Sequence, residues 1–365
     1  MKILHVITTI DIGGAEKQLL ELSRSQVLAG HEIYVAYLKE IPRLREQFTD
    51  CGVSVIGTLY GKSAIRQPWI LRQVIKIVAP DFVHYHLPRA ELIGAIASFP
   101  EKYFVSRHNM ERFLPSGSLL LSRLLSKLIT RRAWAVIAIS NSVSLFLINS
   151  REISRKAKTV TIPYGISTSG KEIALKQPKD TSLIFGTLSR LTPQKDIPCL
   201  LEGFAIHLKN HPNDVLRIAG VGELQSELIN FAASLNIDER VEWLGKVPNA
   251  DEFLNNLDVF ILTSKYEGFG LVILESLRSG VVLLSSKSEA AIEILGEEYK
   301  GLFGIHDSKS LANLMGRMRE REFRVTLQKQ GVTVLPQYSI EKTAENHDRL
   351  YLSVKTKSKL KEETN

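Results

Sequence analysis

VFILTSKYEGFGLVILESLRSGVVLLS, from Val259 to Ser285, contains a strand, a turn, a helix and a second strand in that order. Val259–Thr263 is a short uncharged run rich in β-branched residues, as in a strand covered on both faces. Gly268 and Gly270 interrupt it with a turn. Leu271, Leu274 and Leu277 then recur at the spacing of one helical face, Gly280 closes the helix, and Val281–Ser285 resumes the strand pattern. Such a unit joins parallel strands through a crossover helix.

The same rhythm continues on both sides. Leu183–Thr187 and Val215–Ala219 read as strands before it, and Ile3–Thr8, Ile33–Leu38, Phe82–His86, Tyr103–Arg107 and Ala135–Ile139 form an earlier series. Helical patterns such as Glu16–Ala29 and Leu200–Lys209 fall between them. The alternation predicts an α/β protein with parallel sheets and sites at strand C-termini. At 365 residues the chain exceeds the usual size of one core. The rhythm lapses over the polar stretch Thr161–Thr181, which reads as a linker. We therefore expect two doubly wound Rossmann-like domains facing each other across a cleft, over residues 1–165 and 166–337. A charged helix over 338–365, packed back on the first domain and ending in a Lys-rich tail from Lys355, closes the chain.

Apolar residues are 44% and charged residues 24% of the chain, an ordinary globular composition. Two distant cysteines, Cys51 and Cys199, argue against a disulfide framework or a zinc site and for a reducing, cytoplasmic setting. The start, MKILHVITTI, has the look of a strand rather than a signal peptide, and no run is long and apolar enough to span a bilayer. The net charge is +8, unevenly placed: Met1–Gly165 holds 22 Lys and Arg against 12 Asp and Glu, the remainder 25 against 27. A basic first half suits an acidic polymer or an anionic membrane surface. Nucleic acid is not expected, because no reading helix or basic-aromatic platform stands out.

Within the βαβ unit, Glu267 lies in the turn and Glu275 about two helical turns further on. Glycines let the backbone approach a ligand, and free N–H groups at the helix start favour a phosphate. By residue type alone the two glutamates read as solvated surface groups, as ligand contacts, or as the acid and base of a glycoside hydrolase. His84 and His86 share one face of a strand, but no third ligand at metal spacing accompanies them, so no metal is expected. Ser116–Trp134 combines leucines with Arg123, Lys127, Arg131 and Arg132 on roughly one face. It reads equally as a helix lying in a bilayer interface and as a core helix with a solvated basic face. Arg66, Trp69, Arg72 and Lys76 extend the same basic surface.

Ser264–Gly280 resembles the Glu-x7-Glu motif of glycosyltransferase family 4, retaining enzymes of GT-B architecture. The resemblance recurs in order along the chain. Gly13-Gly14-Ala15-Glu16 looks like the family's N-terminal glycine loop, and GTLSRLTPQKD from Gly186 like its Gly-Arg-Leu-x3-Lys-Gly segment, with Arg190 and Lys195 at the basic positions. AGVGELQSEL from Ala219 and VEWLGKV from Val241 match the segments that follow, and His108 matches the family's histidine near the donor sugar. The resemblance implies that Gly14, Arg190, Lys195, Gly268, Phe269, Gly270, Leu271 and Glu275 bind the donor, with Glu275 on the ribose hydroxyls. Glu267 and His108 then position the sugar or act in catalysis. Four positions depart from the pattern: Tyr164 for Asn, Asp196 for Gly, Val282 for Pro, and Glu289-Ala290 for paired glycines ahead of Glu293. The last puts an acid beside the donor and bears on sugar preference and on activity.

The resemblance implies a retaining hexosyltransferase that moves a sugar from a nucleotide-sugar, UDP-linked, to a glycan or lipid-linked acceptor in bacterial surface polysaccharide or lipopolysaccharide biosynthesis. The first domain would take the acceptor and the second the donor. No cofactor and no metal is expected, and the protein would be cytoplasmic or peripheral on the inner face of the plasma membrane. Two other readings stand beside it: a non-catalytic nucleotide-sugar-binding or scaffold protein, and a GT-B sugar-nucleotide epimerase. An NAD-dependent oxidoreductase is disfavoured, since IDIGGAE lacks the Gly-x-Gly-x-x-Gly fingerprint.

Overall fold

The computed structural model describes residues 1–39, 41–167 and 182–362, with 357–362 as backbone only. The chain forms two compact units, Met1–Ser167 with Tyr338–Asn365, and Thr168–Gln337. Of the expected linker, 168–181 lies outside the described residues.

In the first unit a seven-stranded sheet holds β1 (Lys2–Ile7), β2 (Glu32–Tyr37), β3 (Ser54–Ile56), β4 (Phe82–His86), β5 (Tyr103–Arg107), β6 (Ala133–Ala138) and β7 (Thr159–Thr161), in the order β3-β2-β1-β4-β5-β6-β7. Among its described residues the second unit has six: β8 (Ile184–Leu188), β9 (Val215–Ala219), β10 (Val241–Gly245), β11 (Val259–Leu262), β12 (Val282–Ser286) and β13 (Leu302–Phe303), ordered β10-β9-β8-β11-β12-β13. All their pairings are parallel. Each unit is a doubly wound, Rossmann-like domain. The chain reverses direction across each sheet between β1 and β4 and between β8 and β11, the places where such folds hold ligands.

The central strands fall where the apolar runs predict them, within a residue or two. β3, β7 and β13 show no strand pattern in the sequence. These have only two or three residues, too few for a period, and lie at the sheet edges or beside them. The closing helix Ile340–Glu362 belongs to the first unit. Its Leu350, Tyr351 and Val354 enter that unit's core with Ile3, Phe82 and Phe104, and the Tyr351 ring stacks 5.4 Å from Phe82. Lys355 meets Asp81 at 2.8 Å, and the helix runs on past Lys355 into the Lys-rich tail.

The helix Leu119–Arg132 is built inside out. Its inward residues are Ser122, Ser126, Ile129 and Thr130, while Leu119, Leu120, Leu121, Leu124 and Leu128 are 40–76% exposed. Polar contacts hold it: Ser122 Oγ donates to Glu152 Oε1 at 2.7 Å, Ser126 Oγ to the Glu152 carbonyl at 2.7 Å, and Arg107 to Ser126 Oγ at 2.9 Å. The alternative of a core helix with a solvated basic face is thereby overturned, because the leucines do not face the core. Among the described residues no helix is long and apolar enough to cross a membrane.

Candidate functional site

In the second unit the two loops at the switch point leave β8 and β11 side by side, and backbone and side-chain bonds stitch them together. Lys265 N–H donates to the Gln194 carbonyl at 2.9 Å, Gln194 Nε2 to the Tyr266 carbonyl at 2.8 Å, and Thr263 Oγ1 to the Lys195 carbonyl at 2.7 Å. Ser286 Oγ at the end of β12 ties down the Ser264 carbonyl at 2.6 Å. On this platform Lys195 Nζ donates to Glu267 Oε1 at 2.5 Å, with the side chains only 13% and 9% exposed. An ammonium has three donors, so two remain for a ligand, and the second carboxylate oxygen of Glu267 remains an acceptor.

The turn beyond Glu267 prepares the helix start. Gly270 has φ +83, a left-handed conformation that suits glycine, and caps the helix Leu271–Arg278 without any side-chain bond. The first-turn N–H groups are thus uncapped by side chains, as an anion site requires. Phe269 is buried, Gly268 and Leu271 are half-buried, and Glu275 is half-buried on the second turn. Ile273, with Leu274 and Leu277, takes the core place expected of Leu271. On the other side the Ala219–Gly222 turn lies against residues 189–191. Ser189 N–H bonds the Ala219 carbonyl at 3.0 Å and Leu191 N–H the Val221 carbonyl at 3.1 Å. Gly222 is obligatory there, since an added Cβ would sit 2.2 Å from the Leu191 carbonyl oxygen. Between these bonds Arg190 is exposed, and its side chain makes no hydrogen bond or ion pair among the described residues.

Three departures from the family pattern find local explanations. Asp196 stands at φ +50, where the family's glycine is at ease and aspartate is among the better-tolerated residues. Burial raises its pKa, against the pull of His306, whose Nδ1 lies 2.6 Å away. Val282 is buried in β12, paired with Val259, and supplies the N–H a proline would lack. Glu289 opens the helix Glu289–Leu295, exposed in its first turn where an acid is favoured, and Ala290 is buried at 1%.

In the first unit Gly14 is exposed at the start of the helix Gly14–Leu28. His108 is half-buried after β5, with both ring nitrogens engaged: Nε2 lies 3.2 Å from His86 Nδ1, and Nδ1 meets the hydroxyl of buried Tyr164. The fourth departure, Tyr164, is therefore the partner of the histidine assigned to the sugar. His84 and His86 are 0% and 2% exposed and line no open surface. The cavity beside His86, His108 and Tyr164 measures about 20 Å³, room for one water molecule and not for a sugar.

The third imidazole that the sequence does not show is His5. Parallel pairing sets it opposite His84, and ring nitrogens of His5, His84 and His86 come within 4.8 Å of one another. All six nitrogens already have partners. His84 Nδ1 meets Tyr351 Oη at 2.7 Å and Nε2 meets Ser106 Oγ at 2.8 Å; His5 Nδ1 meets His86 Nε2 at 3.0 Å and Nε2 meets Gln26 Oε1 at 3.0 Å; His86 Nδ1 meets His108. Burial holds His5 and His108 down to about 3, and His84 and His86 well below the usual histidine value. Gln26, His5, Gln194 and Thr263 were not singled out from sequence, since only strand pairing and loop packing bring them to the site.

Comparison with known proteins follows this division. Residues 12–169 match the family model described as Glycosyltransferase Family 4, and residues 170–331 match Glycosyl transferases group 1. The chain is 24% identical over 172 residues to the O-antigen biosynthesis glycosyltransferase WclY of Escherichia coli, covering 47% of each chain. It is 30% identical over 146 residues to the UDP-Gal:alpha-D-GlcNAc-diphosphoundecaprenol alpha-1,3-galactosyltransferase of Escherichia coli, covering 39% of this chain and 38% of the relative. The chain thus matches less than half the length of these curated relatives. Its fold is that of Anabaena HepE, solved with UDP-glucose, at a TM-score of 0.80 and 21% identity over 98% of this chain and 100% of that one. It is also that of the sucrose-phosphate synthase from Thermosynechococcus elongatus, at 0.77 and 17% over 98% and 100%.

Proposed function

Because the chain belongs to glycosyltransferase family 4, with the GT-B fold, we propose that it transfers a sugar from a UDP-sugar to a glycan or lipid-linked acceptor, with retention, in bacterial O-antigen or lipopolysaccharide biosynthesis. The observation that carries this reading is the Lys195–Glu267 pair beside the uncapped start of the helix Leu271–Arg278. UDP develops negative charge as the sugar departs, and fixed donors already in place lower that barrier. Lys195 and Arg190 supply positive charge, and the first-turn N–H groups supply oriented dipoles. Glu267 is held by Lys195, so the group that steadies the diphosphate also orients the carboxylate that accepts from the sugar hydroxyls. Glu275 accepts from the ribose. The acceptor hydroxyl attacks from the leaving-group side and its proton passes to the departing diphosphate, which leaves Glu267 a positioning group and needs no metal.

The first unit takes the acceptor at a membrane surface. The exposed leucines of the helix Leu119–Arg132, flanked by Lys127 and Arg131, support this reading, since apolar side chains and cations together suit an anionic interface. The test of the donor reading is thermal stabilisation of the purified protein by UDP-, GDP- and ADP-sugars. A ligand selective for the folded chain raises its midpoint by mass action, and UDP-sugars should do so most. Equal, negligible shifts with all of them would remove the donor site. Conversion of the donor without acceptor would point instead to an epimerase, and binding without any turnover to a scaffold.

A further inference from the structure

The hydrogen bonds of the first unit form one continuous array from its site to its surface: Tyr164, His108, His86, His5, Gln26 and Asp348. The successive steps are the Tyr164 hydroxyl to His108 Nδ1, His108 Nε2 to His86 Nδ1 at 3.2 Å, His86 Nε2 to His5 Nδ1 at 3.0 Å, His5 Nε2 to Gln26 Oε1 at 3.0 Å, and Gln26 Nε2 to Asp348 Oδ1 at 3.5 Å. Asp348 also meets His31 Nε2 at 2.7 Å.

A neutral imidazole has one N–H and one lone pair, so each ring can pass on a direction but cannot reverse it. The ionised carboxylate of Asp348 only accepts, which turns the Gln26 amide nitrogen toward it and leaves the amide oxygen facing His5. His5 must then carry its hydrogen on Nε2 and accept on Nδ1. His86 and His108 follow in the same sense. We propose that Gln26 fixes the polarity of this array, and that His5 and His86 are positioning residues which make His108 present its Nδ1 lone pair, an acceptor for hydroxyl hydrogens, at the end of β5.

Tyr164 fills that acceptor in the structure. A sugar hydroxyl replacing it would have to donate its hydrogen, so the site selects hydroxyl donors over acceptors such as carbonyl or carboxylate oxygens. This consequence rests on the transferase reading; the polarity itself does not. A proton relay is the other use such an array could serve, but it would place an imidazolium where burial disfavours one and would stop at the amide of Gln26, which is a poor proton carrier. The array sets a direction and carries no charge.

The test is nitrogen-15 NMR of histidine-labelled full-length protein at neutral pH, which distinguishes a protonated ring nitrogen from a bare one. His5, His86 and His108 should all be neutral with hydrogen on Nε2. In Tyr164→Phe, which removes the hydroxyl at the outer end and keeps the ring, His108 should keep its hydrogen on Nε2. In Gln26→Glu the polarity should also persist, because a carboxylate still accepts from His5. Hydrogen on Nδ1 of His108 in the unaltered protein, an imidazolium there, or a switch of tautomer in Tyr164→Phe would each overturn the proposal. The readout needs no sugar, so its failure leaves the transferase reading standing, and an inactive enzyme leaves the tautomers unaffected.

Discussion

Lys195 Nζ and Glu267 Oε1 lie 2.5 Å apart, on loops 72 residues distant in sequence that the switch point of one sheet brings together. Lys195→Ala should lower turnover by about 10²–10³-fold, the usual cost of removing one preorganised donor at a developing charge. It should also destabilise the second unit by less than the ~3–5 kcal/mol of a fully enclosed pair, since both side chains keep some water contact. Lys195→Met with Glu267→Gln should recover stability and not activity. Wild-type turnover in Lys195→Ala would falsify the assignment of this pair to the donor site.

The leucine face separates membrane binding from stability. Changing Leu120, Leu124 and Leu128 together to Asp should cut co-sedimentation with anionic liposomes by more than about tenfold, given ~1.5–3 kcal/mol per buried leucine. Because these side chains are more than half exposed, unfolding free energy should move by no more than ~0.5 kcal/mol for each. Ser126→Val should do the opposite, costing about 1–3 kcal/mol by leaving the buried Glu152 carbonyl without its donor and removing one of Arg107's partners, while the leucines remain presented. Unchanged sedimentation of the triple variant would remove the membrane role.

Buried neutral histidines make the first unit sensitive to acid. His5 and His108 are held to about 3 against about 6.5 in an unfolded chain. The unfolded state therefore binds more protons between those values, and the stability present above about pH 6.5 is lost as pH falls toward 3. Each such group contributes a slope of up to about 1.4 kcal/mol per pH unit, and His84, His86 and His347 act in the same direction. Glu91, raised by burial to about 7, opposes them: its contribution is present at low pH and lost as pH rises through about 7. Five histidines outweigh one carboxyl, so the urea midpoint should fall steeply from pH 6.5 to 4.5. A flat midpoint across that range would mean that the histidines titrate freely.

Gly222→Ala should weaken UDP-sugar binding without touching a ligand. The new methyl would meet the carbonyl oxygen of Leu191 at 2.2 Å and its amide nitrogen at 2.6 Å, backbone atoms that cannot swing aside. The loop bearing Arg190 must shift, at a cost of about 1–3 kcal/mol typical of overpacking. Calorimetric titration with UDP should register the change, and an unaltered dissociation constant would show that the loop is not part of the site.

The central strands were legible because each is a mainly apolar run of four to six residues, and the site loops because glycines and charges mark the turns after them. The chemistry of Glu267 was less so: residue type alone left it a solvated group, a ligand contact or a hydrolase carboxylate, and only the loop pairing supplies Lys195 as its partner. His5 was invisible because its place beside His84 depends on register between strands about 80 residues apart. The helix Leu119–Arg132 shows the limit of periodicity. Its pattern identifies two faces but not which one turns inward, and here serines bonded to Glu152 and Arg107 take the inner side. Glu289-Ala290 reads in the sequence as a disturbance near the donor, whereas the structure accounts for both residues as an acid at a helix start and a small side chain against the core.

Tyr351 is fully buried against Phe82 and Phe104, yet it is made some 180 residues after the end of the first unit's leading segment at Ser167. During synthesis the second unit can emerge and fold while the first still lacks a wall of its core. A ribosome adding ~5–20 residues per second leaves that apolar surface uncovered for roughly 10–40 s. Nascent chains stopped before the closing helix should therefore hold a folded second unit and an open, chaperone-dependent first one, so that the half proposed to meet the acceptor is the last to mature.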